Sequence, residues 1–276
     1  MLLKNLLQDL AMKSVDQAVA VMPRSTPDLA ALQKCKIVSH RGEHDNRTVM
    51  ENTLMAFDNA SAAGVWGLEC DIHFTRDQVP VICHDASLQR VFNLPDLVAQ
   101  LEFAQLRERA PEVPSLAEVV ARYGGDRHLM LEIKAFSPLH LPQQQRALES
   151  VLAGLRAGRD FHVLALAPQL FTLVEFLPPH CLLPVAELNV AQLSRVSLER
   201  GYAGLAGHYL LLSERIRQRH QNMAQRVGTG FPGSRNGLLR EIHRGVDWVF
   251  SNDAVSLQLH LNALLSQAAS NDNAMQ

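Results

Sequence analysis

The sequence has few cysteines and no cysteine pattern. Its 276 residues include four, Cys35, Cys70, Cys83 and Cys181, and none of them forms a CxxC pair. This spacing does not resemble the disulfide framework of a secreted domain. We therefore expect reduced thiols and a cytoplasmic protein.

The chain also lacks an excess of charge of one sign and a long hydrophobic run. The formal net charge is -2, so no basic field attracts a nucleic-acid backbone, and we expect no nucleic-acid partner. Lys4, Asp9, Lys13 and Asp16 interrupt the apolar N-terminus, which predicts no export signal. No run reaches transmembrane length, and the 47% apolar content is enough for a substantial core.

The N-terminus instead carries leucines at helical spacing, at positions 2, 3, 6, 7 and 10. This stripe predicts an amphipathic helix within an N-terminal helical extension, residues 1–36. Packing against the body of the domain is the simpler interpretation. Homodimer formation and weak contact with a membrane surface are the alternatives. The small, polar residues 267–276 predict a flexible tail.

Between these ends, short β-rich runs alternate with helical patterns, which is typical of a parallel sheet built from βα units. We predict strands over Ile37–Ser39, Gly67–Ile72, Leu129–Ile133, His162–Leu166, Leu182–Glu187, Ala203–Ala206, Arg226–Gly230 and Val246–Phe250. Eight such units over residues 37–266 predict a (β/α)₈ TIM barrel. A doubly wound open sheet is the alternative, but no GxGxxG or Walker-type loop follows the first strand.

The run Val79–Cys83 is a ninth strand candidate that lies too close to the second strand for a parallel crossover. It predicts a β-hairpin excursion after the second strand. With the turn centred between Arg76 and Asp77, the predicted register places His84 opposite Glu69.

Charged residues occupy the ends of the predicted strands. Glu69 and Asp71 are two residues apart on one strand, so they share a face while Cys70 points the other way. Glu132 and Lys134 repeat the spacing at the end of another strand. Because the active sites of such barrels lie at the carboxyl ends of the strands, we expect these side chains to converge.

His40 and Arg41 follow the first strand, and His84 follows the hairpin. Three carboxylates can hold Mg²⁺ or Ca²⁺, two histidines can move protons, and an arginine with a lysine can neutralise a phosphate. This combination predicts a metal-assisted phosphodiesterase. A structural ion-pair network inside the barrel is the alternative interpretation.

Five motifs, in order and spacing, resemble the glycerophosphodiester phosphodiesterase family, a branch of the phospholipase-C-like barrel phosphodiesterases. They are SHRG at 39–42, ENTLMAF at 51–57, GLECDIHFTRDQVPVICHD at 67–85, PSLAEVV at 114–120 and LEIK at 131–134, with a weaker match, GVDWVFSND, at 245–253. The resemblance implies metal-dependent hydrolysis of glycerophosphodiesters to glycerol 3-phosphate and an alcohol, a step of lipid and glycerol metabolism.

Residue by residue, the resemblance implies a role for each member of the set. Glu69, Asp71 and Glu132 look like the metal ligands, Arg41 and Lys134 like phosphate clamps, and His40 and His84 like the acid/base pair. In the mechanism of the family, the neighbouring glycerol hydroxyl attacks phosphorus. The sequence does not determine which histidine is the initial base.

The chain departs from the family near its last two strands. Val227–Phe231 replaces a tryptophan-threonine-x-asparagine stretch, and Ser251-Asn252 replaces threonine-aspartate. These changes affect substrate recognition rather than the metal site. The alternatives are therefore a lysophospholipase D-like lipid phosphodiesterase and a non-catalytic barrel that binds phosphorylated ligands.

Overall fold

The structure, a computed structural model, describes residues 16–274, with side chains as far as residue 270. Eight parallel strands close into a barrel, and a ninth short strand lies antiparallel beside the second. The strands are β1 (Ile37–His40), β2 (Gly67–Phe74), β3 (Pro80–Ile82), β4 (His128–Ile133), β5 (Phe161–Ala165), β6 (Leu182–Ala186), β7 (Gly204–His208), β8 (Arg226–Gly230) and β9 (Trp248–Ser251). The predicted TIM barrel is confirmed.

Closure depends on β1, which pairs in parallel with both β2 and β9. The register places His40 beside Glu69 across β1 and β2, and Asp71 beside Glu132 across β2 and β4. Four of the predicted site residues are thus neighbours on adjacent strands before any side-chain contact is considered.

Helices cover the outside of the barrel. They are Leu29–Lys34, Leu54–Ala62, Gln89–Phe92, Phe103–Arg109, Leu116–Tyr123, Leu141–Leu152, Val190–Arg200, Glu214–Asn222, Arg235–Arg244 and Ala254–Ala274, and residues 16–21 are also helical. None of the helices among residues 16–274 combines the length and the apolar character that a membrane span requires. The predicted leucine helix, residues 2–10, lies outside the described residues.

The helical patterns between the predicted strands predict helices over Glu51–Ala63, Leu170–Leu177 and Ala254–Leu265, and the structure corrects all three. The helix predicted from Glu51 begins at Leu54, because the Thr53 hydroxyl caps it by accepting a hydrogen bond from the amide of Ala56 at 3.3 Å. The helix predicted over 170–177 is a 3₁₀ segment, Pro168–Val174. The last helix continues past its predicted end at Leu265 to Ala274 and so enters the tail, whose flexibility stays a prediction.

The hairpin exists, but its predicted register is wrong by one residue. Ile82 lies opposite Ile72, not opposite Asp71. The loop contains three residues, 76–78, and the last of them, Gln78, has a left-handed φ of 63°. The Gln78 amide donates to the carbonyl of Thr75 at 3.0 Å, which gives a type I turn followed by a left-handed residue rather than a two-residue turn.

Beneath the hairpin lies a small hydrophobic cluster of its own, the excursion core. Its buried members are Val81, Cys83, Leu88, Val98, Leu106, Ala110 and Val113. The main core between strands and helices is separate and contains Cys70, which is 1% exposed. Cys70 therefore faces outward from the barrel while its neighbours Glu69 and Asp71 face inward, as the alternation of the strand predicts.

Cys70→Ser tests this alternation. We expect the variant to keep the phosphodiesterase activity that the sequence predicts, because the side chain does not face the barrel interior. Its free energy of unfolding should fall by about 1–3 kcal/mol, since a hydroxyl replaces a thiol among apolar neighbours. Urea unfolding and activity assays check this, with the less buried Cys35→Ser as control. A folded but inactive Cys70→Ser protein would contradict the assignment.

The amino-terminal end of the barrel is closed by two histidines stacked between two tryptophans. His128 lies 4.3 Å from Trp66, and His162 lies 5.0 Å from Trp248, between ring centroids. The two imidazoles share a hydrogen bond of 2.7 Å. Burial lowers the pKa of His128 to about 4 and that of His162 to about 3. Both histidines are neutral members of the barrel floor, in line with the structural role predicted for them.

These pKa values predict a loss of stability in mild acid. Unfolded histidine titrates near 6.5, so below that pH the unfolded chain takes up protons that the folded floor refuses. The free energy of unfolding should therefore fall as the pH drops from about 6.5 towards 4. Urea midpoints at about pH 7.5 and 5 measure this loss.

The matched variants are His162→Gln in the floor and His260→Gln on the exposed face of the last helix. His162→Gln should show a smaller loss of stability between the two pH values, and His260→Gln should behave as wild type. Equal losses in all three proteins would contradict the role of the floor.

Candidate active site

Three carboxylates form a buried cluster inside the barrel at the carboxyl ends of β2 and β4. Glu69, Asp71 and Glu132 are 1%, 0% and 9% exposed, and one side-chain oxygen of each lies within 4.8 Å of the other two. The strand spacing places Glu69 and Asp71 on the same face, and the register places Glu132 next to Asp71. The convergence predicted for these three residues is confirmed by the geometry.

The cluster is short of hydrogen-bond donors. Among the described residues, Glu69 Oε1 and Asp71 Oδ1 have no hydrogen-bond partner although both are fully buried. Burial and the neighbouring carboxylates raise the pKa of Glu69, and burial raises that of Glu132. Oxygens left without donors, in a group of three acids, have the chemistry of a site for a hard divalent cation.

Two cationic side chains flank the acids. Lys134 Nζ lies 2.7 Å from Glu132 Oε1 and 3.3 Å from Asp71 Oδ1, and Arg41 Nε lies 3.2 Å from Asp71 Oδ2. Burial raises the pKa of Asp71, but Lys134 and Arg41 outweigh it, so the pKa is lowered overall. Asp71 is therefore the member of the cluster most firmly held as a carboxylate.

The turn after β1 orients the side chain of Arg41 towards the carboxylate cluster. Arg41 has a left-handed φ of 61°, and Gly42 follows with a φ of 80°. A Cβ on Gly42 would lie 2.6 Å from Cβ of Ala56 and 2.7 Å from its backbone carbon, so only glycine allows the chain to pass the helix that starts at Leu54. Gly42 is therefore required in the His40-Arg41-Gly42 motif on steric grounds, whereas His40 and Arg41 are placed there by their chemistry.

His40 is held from three sides. Its Nδ1 lies 2.6 Å from Oδ1 of Asn252, its Nε2 lies 3.7 Å from Oε2 of Glu69, and its ring lies 4.6 Å from that of Phe231. Burial, with the charge of Arg41 added, lowers the pKa of His40 to about 4. With Nδ1 donating to the Asn252 oxygen, Nε2 carries the lone pair and faces the cluster.

His84 reaches the same cavity from the end of the hairpin. Its Nδ1 lies 2.7 Å from Oδ1 of Asp85, whose other oxygen accepts from Arg90 Nε at 2.6 Å. Arg90 also donates twice to the buried carboxylate of Glu51, at 2.6 and 2.9 Å, and Glu51 accepts from Arg41 at 3.1 Å. A continuous chain of ion pairs and hydrogen bonds therefore connects His84 on the hairpin to Arg41 after the first strand.

Sequence reasoning assigned no role to several residues that orient the site. Asn52 donates to Asp71 Oδ2 at 2.8 Å from a left-handed φ of 60°, a conformation that asparagine tolerates well. Its place within the Glu51-Asn52-Thr53 motif was the available signal. Asn252 and Phe231, which both contact His40, lie within the two stretches that depart from the family near the last two strands.

The site opens into a cavity of about 610 Å³. Six of the seven predicted site residues line it, and Asp71 lies behind them, fully buried. Two further histidines lie near the site. His208 lines the cavity, whereas His73 lies outside it and donates from Nε2 to the backbone carbonyl of His84 at 3.2 Å.

Fold and site together define a (β/α)₈ barrel with an acidic, histidine-flanked site at the carboxyl ends of its strands. The sequence model of the glycerophosphoryl diester phosphodiesterase family matches residues 40–169, a stretch that contains all seven predicted site residues. The match covers slightly less than half of the chain, and over that stretch the chain is similar to this family.

Curated relatives match over short stretches. Human glycerophosphodiester phosphodiesterase 1 is 34% identical over 115 residues, which cover 34% of each chain. The probable glycerophosphodiester phosphodiesterase 1 of Mycobacterium tuberculosis is 43% identical over 72 residues, which cover 26% of each chain. This chain thus spans about a third or less of the length of these relatives.

Solved structures match over most of the barrel. A phosphodiesterase from Oleispira antarctica, in complex with the product sn-glycerol-3-phosphate, superimposes with a TM-score of 0.68 at 21% identity, covering 84% of this chain and 99% of that one. A glycerophosphodiester phosphodiesterase from Thermotoga maritima gives 0.67 at 18% identity, covering 80% and 96%. At these identities the likeness establishes the fold.

Proposed function

We propose that this protein hydrolyses glycerophosphodiesters to glycerol 3-phosphate and an alcohol with the help of a divalent metal ion. One observation carries the proposal: the buried cluster of Glu69, Asp71 and Glu132 shares one cavity with two histidines, His40 and His84. The match of residues 40–169 to the family model and the product named in the Oleispira complex support the same chemistry.

Glu69, Asp71 and Glu132 are the residues that would hold the ion, Mg²⁺ or Ca²⁺, because Glu69 Oε1 and Asp71 Oδ1 have no hydrogen-bond partner among the described residues and carboxylate oxygens suit a hard cation. When bound, the ion supplies positive charge that stabilises the phosphoryl oxygens. Arg41 and Lys134 add two further charges. With the three carboxylates and a monoanionic phosphodiester, the formal charges of this assembly sum to zero.

The surroundings of the two histidines favour different roles. His40 donates from Nδ1 to a neutral amide and presents the Nε2 lone pair, which is the state of a proton acceptor. His84 instead places Nδ1 2.7 Å from a carboxylate oxygen of Asp85, which fixes the orientation of its ring at the cavity. We assign His40 as the initial base that deprotonates the attacking glycerol hydroxyl and His84 as the acid that protonates the leaving alkoxide. Water then opens the resulting cyclic phosphate to give glycerol 3-phosphate.

The alternative of a non-catalytic barrel has less support, because all seven proposed site residues are present and six of them line one cavity. Cytoplasmic localisation stays a prediction. The same holds for homodimer formation or membrane contact through the leucine stripe.

The metal proposal predicts that Glu69→Gln weakens divalent-ion binding. Losing even an outer-shell partner costs roughly 10- to 100-fold in metal affinity, so loss of a direct ligand should cost at least about tenfold. Titration calorimetry with Mn²⁺ measures this. Glu149→Gln, on the exposed face of an outer helix, is the control. Wild-type affinity in Glu69→Gln would remove Glu69 from the ligand set.

The catalytic proposal predicts that His40→Ala lowers kcat by roughly 10²- to 10⁴-fold, as expected when a positioned proton-transfer group is lost. Release of glycerol 3-phosphate from glycerophosphodiesters, with metal added or chelated, is the measurement. His260→Ala serves as the surface control, and circular dichroism verifies the fold. Near-normal turnover in His40→Ala, or release that chelation leaves unchanged, would count against the mechanism.

A further inference from the structure

The catalytic cavity has two unlike halves. The half formed by β1, β2 and β4 carries the acids, the cations and His40. The opposite half, on β5 to β9, is lined mainly by apolar side chains and glycines: Leu164, Leu166, Val185, Ala186, Ala206, Gly207, Leu211, Gly230, Phe231, Gly233 and Phe250. We call this half the apolar wall.

The change from polar to apolar is abrupt. Glu132 on β4 has Leu164 of β5 as its register partner, and further round the barrel Val185 of β6 pairs with Ala206 of β7. The polar residues on this side lie at or beyond the ends of the strands: Glu187 after β6, His208 at the last residue of β7, and Asn252 and Asp253 after β9. Asp16, which precedes the barrel, also lines the cavity. Deep in the cavity the wall therefore offers few side-chain groups for hydrogen bonding.

The wall continues to the mouth of the barrel. Leu166, one residue beyond β5, is 38% exposed, and Phe231, one residue beyond β8, is 37% exposed, whereas Leu164 below them is 2% exposed. The apolar wall thus includes a buried side chain deep in the cavity and partly exposed side chains just beyond the strand ends.

A phosphodiester bound at the cluster places one of its substituents against this wall. A small polar alcohol would leave hydroxyl or charged groups facing carbon, which is unfavourable, whereas each methylene buried there gains about fourfold in affinity. We infer that the alcohol of the preferred substrate is a long aliphatic chain, so that the substrate is a lipid-like glycerophosphodiester. This inference rests on the proposed phosphodiesterase function.

A homologous series of glycerol phosphodiesters tests the inference. The ethyl, butyl, hexyl and octyl esters all release glycerol 3-phosphate, and their linear alkoxides leave with nearly equal ease, so differences in kcat/KM report binding of the chain. Below the concentration at which the esters self-associate, we expect kcat/KM to rise about two- to fourfold per methylene until the wall is covered.

A flat series in which the ethyl ester is hydrolysed as well as the octyl ester would overturn the inference and leave the proposed function standing. If no ester were hydrolysed with metal present, the proposed function would fail, and the inference would fail with it.

Two matched variants locate the effect. Leu166→Ser changes the wall, and Leu139→Ser changes an 80% exposed leucine on the neighbouring loop that does not line the cavity. Leu166→Ser should lower the octyl-to-ethyl ratio of kcat/KM by about threefold or more, and Leu139→Ser should keep the wild-type ratio. Because the ratio compares two substrates on one enzyme, it does not depend on how much protein is folded. An unchanged ratio in Leu166→Ser would refute the role of the wall.

Discussion

The repulsion among three buried carboxylates is the constraint on which the rest of this site depends. Glu69, Asp71 and Glu132 are brought together by strand pairing, and a cluster of that kind is unfavourable in a medium of low dielectric unless positive charge accompanies it. Lys134 and Arg41 supply part of that charge from within the chain. A divalent ion and a phosphodiester would bring the formal charge of the site to zero. Binding of the ion would therefore also reduce the repulsion among the three carboxylates.

Charges outside the cluster are also paired, through a chain of ion pairs that runs from Asp71 to Asp85. Arg41 contacts both Asp71 and Glu51, and Glu51 is shared with Arg90, whose remaining nitrogen holds Asp85 beside His84. These contacts, together with Arg90, lower the pKa of Glu51 despite its burial. The orientation of the hairpin histidine is thus tied to the charge state of the barrel interior.

Sequence reasoning found the parts of the site that follow from strand geometry. Alternation on β2 put Glu69 and Asp71 on one face, and the carboxyl ends of parallel strands had to meet. It could not find Asn252, because that residue lies 212 positions from His40 and reaches it only when the barrel closes between β1 and β9. It also gave the hairpin the wrong register. Gln78 adds a third loop residue in the left-handed conformation, a position where glycine is the usual sequence signal.

The separate excursion core has a consequence for how the site is divided between packing units. Glu69, Asp71 and Glu132 stand on the closed barrel. His84 instead follows a strand that packs on both cores, with Val81 in the excursion core beside Leu88 and Leu106 and with Ile82 in the main core. If His84 delivers a proton as proposed, loosening the excursion core would lower turnover more than it would displace the three acids. Natural variation beneath the hairpin would then change turnover with a smaller effect on metal affinity, and the two parts of the proposed chemistry would evolve at different rates.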